Sequence, residues 1–98
     1  MATLFICVFE GAASVATGDP IQEEGVNIGA TSTQSNAISG SGKKRRRVRL
    51  YADADCFVTW DSDPTATTDG TSGRPMGADN PEYWDIESGY KIAVIQRL

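Results

Sequence analysis

The chain has no histidine and only two cysteines in 98 residues. Without an imidazole, a Ser-His-Asp or Cys-His relay has no base, and zinc loses its usual nitrogen ligand. Gly-x-Ser-x-Gly is absent as well, which removes the nucleophile elbow of serine hydrolases. Cys7 and Cys56 share no short spacing, so neither a metal knuckle nor a redox motif is supported, and both read as small buried apolar residues. A disulfide between them is the alternative. Long apolar runs are missing too. The longest, 4–9, falls far short of the roughly 20 residues of a membrane-spanning helix. No positive charge precedes it and Glu10 closes it, so it does not read as a secretory leader and the protein is expected to stay where it is made. Finally, no ten-residue stretch carries a helical period.

What is present is the punctuation of short strands. Gly, Ser, Thr and Asp are abundant, hydrophobic residues make up 40%, and the length suits one domain with one modest core. Residues 3–10 (TLFICVFE) form a continuous apolar segment, read as a strand buried on both faces or lodged in an interface. Turn chemistry dominates up to Gly25, so residues 1–25 read as a strand plus a loop arm and 26–98 as the β core. Two short strands fit 26–39. In 45–52, Val48, Leu50 and Ala52 alternate with Arg47, Arg49 and Tyr51. Cys56, Val58 and Trp60 continue the alternation beyond Asp53, which suggests a hairpin-like pair. Residues 65–81 hold too many Gly, Pro and Asp for a long element and read as a surface loop. Segments 82–86 and 90–97 are the last two strands, with Ile92, Val94 and Ala93, Ile95 supplying both faces of the final one. Six to seven short strands without helix predict an all-β sandwich or small barrel, jelly-roll-like.

The densest chemical feature is the run Lys43, Lys44, Arg45, Arg46, Arg47, Val48, Arg49, with six of the nine basic residues. The other residues carry three positive and thirteen negative charges, a net of −10. A basic run attracts phosphate, but in a strand only alternate side chains share a face, and no aromatic platform is interleaved with it. The pattern favours a solvated edge or a protein interface over nucleic acid. A phosphate loop at Gly42-Lys43 fails, because Ala37 stands where its first glycine belongs and Lys44 where it needs Ser or Thr. Asp53, Asp55, Asp61 and Asp63 form two Asp-x-Asp pairs whose spacing does not match an EF-hand, and they read as turn formers rather than metal ligands. A carboxylate hydrolase would need a deep cleft that a domain of this size has little volume to build. The sequence therefore predicts no catalytic residue, no cofactor, no metal and no enzyme. Trp60 reads as core. Of the neighbours Tyr83 and Trp84, which an extended strand points to opposite faces, one is a candidate for exposure at a protein contact.

Five phrases, GATSTQS (29–35), VRLYADADC (48–56), PTAT (64–67), NPEYW (80–84) and GYKIAVI (89–95), together resemble a family of small virion-associated proteins of tailed bacteriophages, head-decoration or cement-like. The likeness runs from about Val26 to the C-terminus. It implies a virion component, assembled in the host cytoplasm, that binds the major capsid protein on the assembled head and itself as a homo-oligomer, a trimer being favoured. It implies no chemistry. The basic run is denser than the family's pattern, and Asp61-Ser62-Asp63 stands where relatives tend to have a glycine-containing turn. A neck or tail component and a host-surface or carbohydrate-binding module using the 65–81 loop are the alternatives. The candidate interface residues are Lys43, Lys44, Arg45, Arg46, Arg47, Arg49, Tyr83 and Trp84.

Overall fold

The computed structural model describes residues 2–10, 20–40, 42–69 and 72–97. Eight strands and no helix are present among them: β1 (Thr3–Phe9), β2 (Gln22–Asn27), β3 (Thr33–Gln34), β4 (Arg45–Ala52), β5 (Cys56–Asp61), β6 (Arg74–Met76), β7 (Glu82–Glu87) and β8 (Lys91–Gln96). They form two antiparallel four-stranded sheets, β2-β1-β4-β7 and β3-β8-β5-β6, packed as a sandwich. Lettering β2 to β8 as B to H and β1 as I turns these orders into B-I-D-G and C-H-E-F, the jelly-roll arrangement with its last strand supplied first.

The core follows from the period of two. Leu4, Ile6 and Val8 of β1 and Val48, Leu50 and Ala52 of β4 face Cys56, Val58, Ile92 and Val94 of the second sheet, with Val26, Ile28, Ile38, Met76 and Ile86 filling the margins. Register fixes the match: Leu4 pairs with Ala52, Ile6 with Leu50 and Val8 with Val48, so a slip of one residue would turn every one of these side chains to solvent.

The open sides of the sandwich are closed by polar side chains that reach between sheets. On one side Glu24 accepts the Asn36 N–H at 3.0 Å and Gln22 takes the Ser39 N–H at 2.8 Å. On the other, the Arg74 guanidinium lies 3.9 Å over the Trp84 ring, which packs against Trp60 at 5.4 Å. These contacts tie the two sheets together along both open sides.

Several sequence expectations need correction. The strands number eight rather than six or seven, because Arg74–Met76 pairs with β5 inside the segment read as loop; Pro75 is tolerated there since β6 is an edge strand. Strand β2 begins at Gln22, so residues 22–25 belong to the sheet and not to a turn-rich arm. β4 and β5 are not a hairpin: they lie in different sheets, joined by an arch at 53–55. The arch is held by its aspartates, Asp53 accepting the Thr3 N–H at 2.7 Å and Asp55 the Ala78 N–H at 2.9 Å, while Asp55 also meets Arg97 at 3.5 Å. β1 is buried on its inner face only. Of the cysteines, both are free; Cys56 is buried, as expected, but Cys7 is only half-buried, on the outside of the first sheet.

Candidate functional site

The two outer faces of the sandwich differ. On the second sheet, Ala93, Ile95 and Phe57 point outward, and the chain covers them itself: Pro64 and Ala66 are buried against that face, and Ala66 is 2% exposed. Gln34 fastens this cover by donating to Asp63 and to the Pro64 carbonyl, and Ser32 accepts the Ala66 N–H. The first sheet has no such cover among the described residues. Among the described residues, the large hydrophobic side chains most open to solvent, Phe5 (46%), Ile21 (42%) and Tyr83 (47%), all lie on its outer side or margin.

The rows of that face follow from the register. One row runs Gly25, Phe5, Tyr51; the next Glu23, Cys7, Arg49, Tyr83; the third brings Phe9, Arg47 and Asp85 together. Arg45 and Glu87 pair one row further on. The strand rows thus carry Arg45, Arg47 and Arg49 against Glu23, Asp85 and Glu87, three charges of each sign and a net of zero, while Asp79, which accepts the Tyr51 hydroxyl at 2.7 Å, adds one negative charge at the margin. Phe5 and Tyr51 are tilted neighbours at 6.3 Å between ring centroids, and Arg49 lies 5.6 Å from the Tyr51 ring. Because Gly25 has no side chain, a hollow of about 510 Å³ opens beside Phe5, Cys7, Glu23, Arg49 and Tyr51. Neutral charge, aromatic side chains and arginine are the composition of a protein–protein contact rather than of a phosphate-tracking groove.

The basic run is divided by the fold. Arg46 turns to the end of the sandwich, where it donates to the Ser39 and Glu10 carbonyls. Arg47 is paired with Asp85 at 2.7 Å. Lys43, Lys44 and Arg45 are exposed near the turn organised by buried Ser88, whose hydroxyl accepts the Lys44 N–H and donates to the Gly42 carbonyl. Only Arg45, Arg47 and Arg49 share the outer face. Tyr83 is the exposed member of its pair with Trp84, as strand alternation requires, whereas Trp84 packs at the core margin and donates to Glu82 at 3.0 Å. Sequence reasoning placed Tyr51 on the arginine face of its strand but missed Phe5, Phe9 and Ile21 as members of this surface. For Phe5 and Phe9 the signal was the alternation inside 3–9, hidden because every residue there except Thr3 is apolar.

Nothing else gathers chemistry. No three Asp, Glu or Cys residues cluster as metal ligands among the described residues. Asp61 accepts the N–H of Ser62 and Asp63 the Gln34 amide, so this pair shapes a turn. The Asp55 carboxyl is held below its ordinary pKa, first by the Ala78 N–H bond and then by Arg97. Burial pushes the Cys56 thiol up to about 11, far from a nucleophile's range. Asp79 raises the Tyr51 hydroxyl through the hydrogen bond between them. Another hollow of about 440 Å³ is lined by Ala30, Phe57, Thr68, Gln96 and Arg97. No protein family, curated protein or solved structure matches the chain.

Proposed function

We propose that the chain is a structural protein of a tailed-phage particle, a decoration protein that docks on the assembled head through the outer face of its first sheet. The observation that carries this reading is the asymmetry of the sandwich: one outer face is sealed by the chain's own loop, while the other leaves Phe5, Ile21 and Tyr83 open around a charge-neutral centre. Large aromatics left in solvent on one contiguous face mark a contact surface. The resemblance of residues 26–98 to virion-associated proteins supplies the setting.

A four-stranded face of this length measures on the order of 400–500 Å² in projection, at the small end for a stable contact. One copy would bind modestly, and several copies joined as an oligomer, a trimer being favoured, would gain by multivalency. Binding apolar area across the seam between capsid subunits stabilises the assembled shell relative to its parts. Co-sedimentation with heads from a phage deleted for this gene tests the proposal. The wild-type chain should pellet with assembled heads and not with unassembled capsid protein, and a Phe5→Asp, Tyr83→Asp double variant of unchanged melting temperature should stay in solution. Saturation at a dozen copies or fewer per particle would move the protein to the neck or tail. Equal pelleting of the double variant would remove this face from the reading.

A further inference from the structure

We infer that Arg49 is the anchor of this face, taking a carboxylate from the partner protein, an Asp or Glu that stands beside an apolar side chain seated in the hollow over Gly25. The inference rests on the docking reading above. Its basis is the unequal treatment of the three arginines that β4 sends outward. Arg47 is neutralised by Asp85 at 2.7 Å. Arg45 sits exposed at the end of the strand, in register with Glu87 but without an ion pair to it and away from the aromatic side chains, so what sets Arg49 apart is its setting rather than the lack of a pair. Arg49 has Cys7 on one side and Tyr83 on the other, and among the described residues it makes no ion pair; its one close partner is the Tyr51 ring.

The surroundings are those of a binding hot spot. The Tyr51 ring lies 5.6 Å from the guanidinium, Phe5 packs on Tyr51 and Tyr83 is the cross-strand neighbour of Arg49, so a seated partner would close an apolar surround that raises the worth of a paired charge. The planar fork suits a bidentate carboxylate. Arg49 itself lines the hollow together with Phe5, Cys7 and Tyr51, so the partner's acidic group and its apolar group should be near neighbours on one surface. A polyphosphate fits less well. Glu23 lies in the same row, Asp85 in the next and Asp79 on Tyr51, and a chain of regularly spaced phosphates would meet them in turn, whereas a single carboxylate in an apolar setting would not. Gly25 lines the hollow with no side chain to fill it, and a Cβ there would also lie 3.2 Å from Thr3 Cγ2.

The test is a binding titration of the full chain on the gene-deleted heads, with melting temperatures recorded for every variant. Arg49→Glu should weaken binding by about 30-fold or more, the scale of a hot spot, and Arg45→Glu by no more than about 3-fold. Arg49→Lys, which keeps charge but not the fork, should fall between them. Gly25→Val, which fills the hollow without changing charge, should weaken binding by about 10-fold. If Arg49→Glu lowers the melting temperature, Arg49→Met, which keeps the apolar stem, replaces it and should lose binding equally. Arg49→Glu and Arg49→Met binding like wild type, while the Phe5→Asp, Tyr83→Asp variant fails, would overturn the anchor and leave the docking face. Equal losses from Arg45→Glu and Arg49→Glu would overturn it in favour of diffuse attraction. Displacement from the heads by duplex DNA would overturn it in favour of a phosphate ligand, and a wild-type dimer in sedimentation that Arg49→Glu dissolves would make the partner a second copy instead. Failure of the wild-type chain to bind heads at all would remove both the anchor and the reading it rests on.

Discussion

Leu4 and Phe5 are neighbours on one strand, yet the sandwich assigns them opposite fates, and truncating each to alanine measures the difference. Leu4 is completely buried between the sheets, in contact with the cluster that includes Leu50 and Val94. Removing its branched end forfeits transfer energy and leaves a cavity in a tightly packed interior, a loss of about 2–5 kcal/mol. Phe5 is 46% exposed, and its main neighbour is the Tyr51 ring across the strand pair. Losing one tilted cross-strand contact at a surface site costs about 0.2–1 kcal/mol. In a domain of this size each kcal/mol moves the melting temperature by about 4–8 °C, so Leu4→Ala should melt at least ~8 °C lower while Phe5→Ala stays within ~8 °C of wild type. Urea titration followed by tryptophan fluorescence gives the same comparison as a shift in midpoint at constant slope. A loss from Phe5→Ala equal to that from Leu4→Ala would show that the outer face of the first sheet is packed within the folded chain. That result would refute both the asymmetry of the sandwich and the docking role built on it.

Three further predictions follow from single groups. Ser88→Ala leaves the Lys44 N–H and the Gly42 carbonyl without their side-chain partner and should cost about 1–3 kcal/mol, with faster amide exchange at Lys44 as the local signature. In the native protein at pH 8 a thiol reagent should modify Cys7 and spare Cys56, whose burial and pKa of about 11 leave almost no thiolate; equal rates would mean the core opens readily. Asp55 has a folded pKa below its ordinary value, so its contribution is complete above pH ~4 and disappears as the pH falls through the folded value; Asp55→Asn should lower stability at neutral pH and flatten the acid limb of the curve, and parallel limbs would contradict the assigned hydrogen bond.

The parts of the fold that depend on local alternation were legible in the sequence. Strand β4 was read at its exact bounds because arginine, tyrosine and apolar residues alternate without a break, and β8 was read as doubly buried because Ile92 to Ile95 offer no polar side. Tyr83, not Trp84, is the exposed one of the pair whose separation was foreseen. Partner choice was not legible. The three-residue link between β4 and β5 suits a hairpin or an arch equally, and what decides is that β4 finds Phe9 to Leu4 and β7 as neighbours, contacts distant in sequence. β6 escaped because Pro75 reads as a breaker unless the strand is known to be an edge. The candidate site suffered from the same limit. Alternation already divided the basic run between two faces, but the bonds of Arg46 to the Ser39 and Glu10 carbonyls were not legible, and Phe5 and Phe9 lay in an apolar run with no polar residue to reveal its exposed side.

The central claim is that the first sheet's outer face meets the particle while the self-covered face of the second sheet looks away. Hydroxyl-radical footprinting of the chain, free and bound to heads, tests it residue by residue. Phe5, Cys7, Tyr51 and Tyr83 should become protected on binding, with Phe57 and Thr68 unchanged. Protection of Phe57 and Thr68 with Phe5 and Tyr83 still reactive would contradict the account.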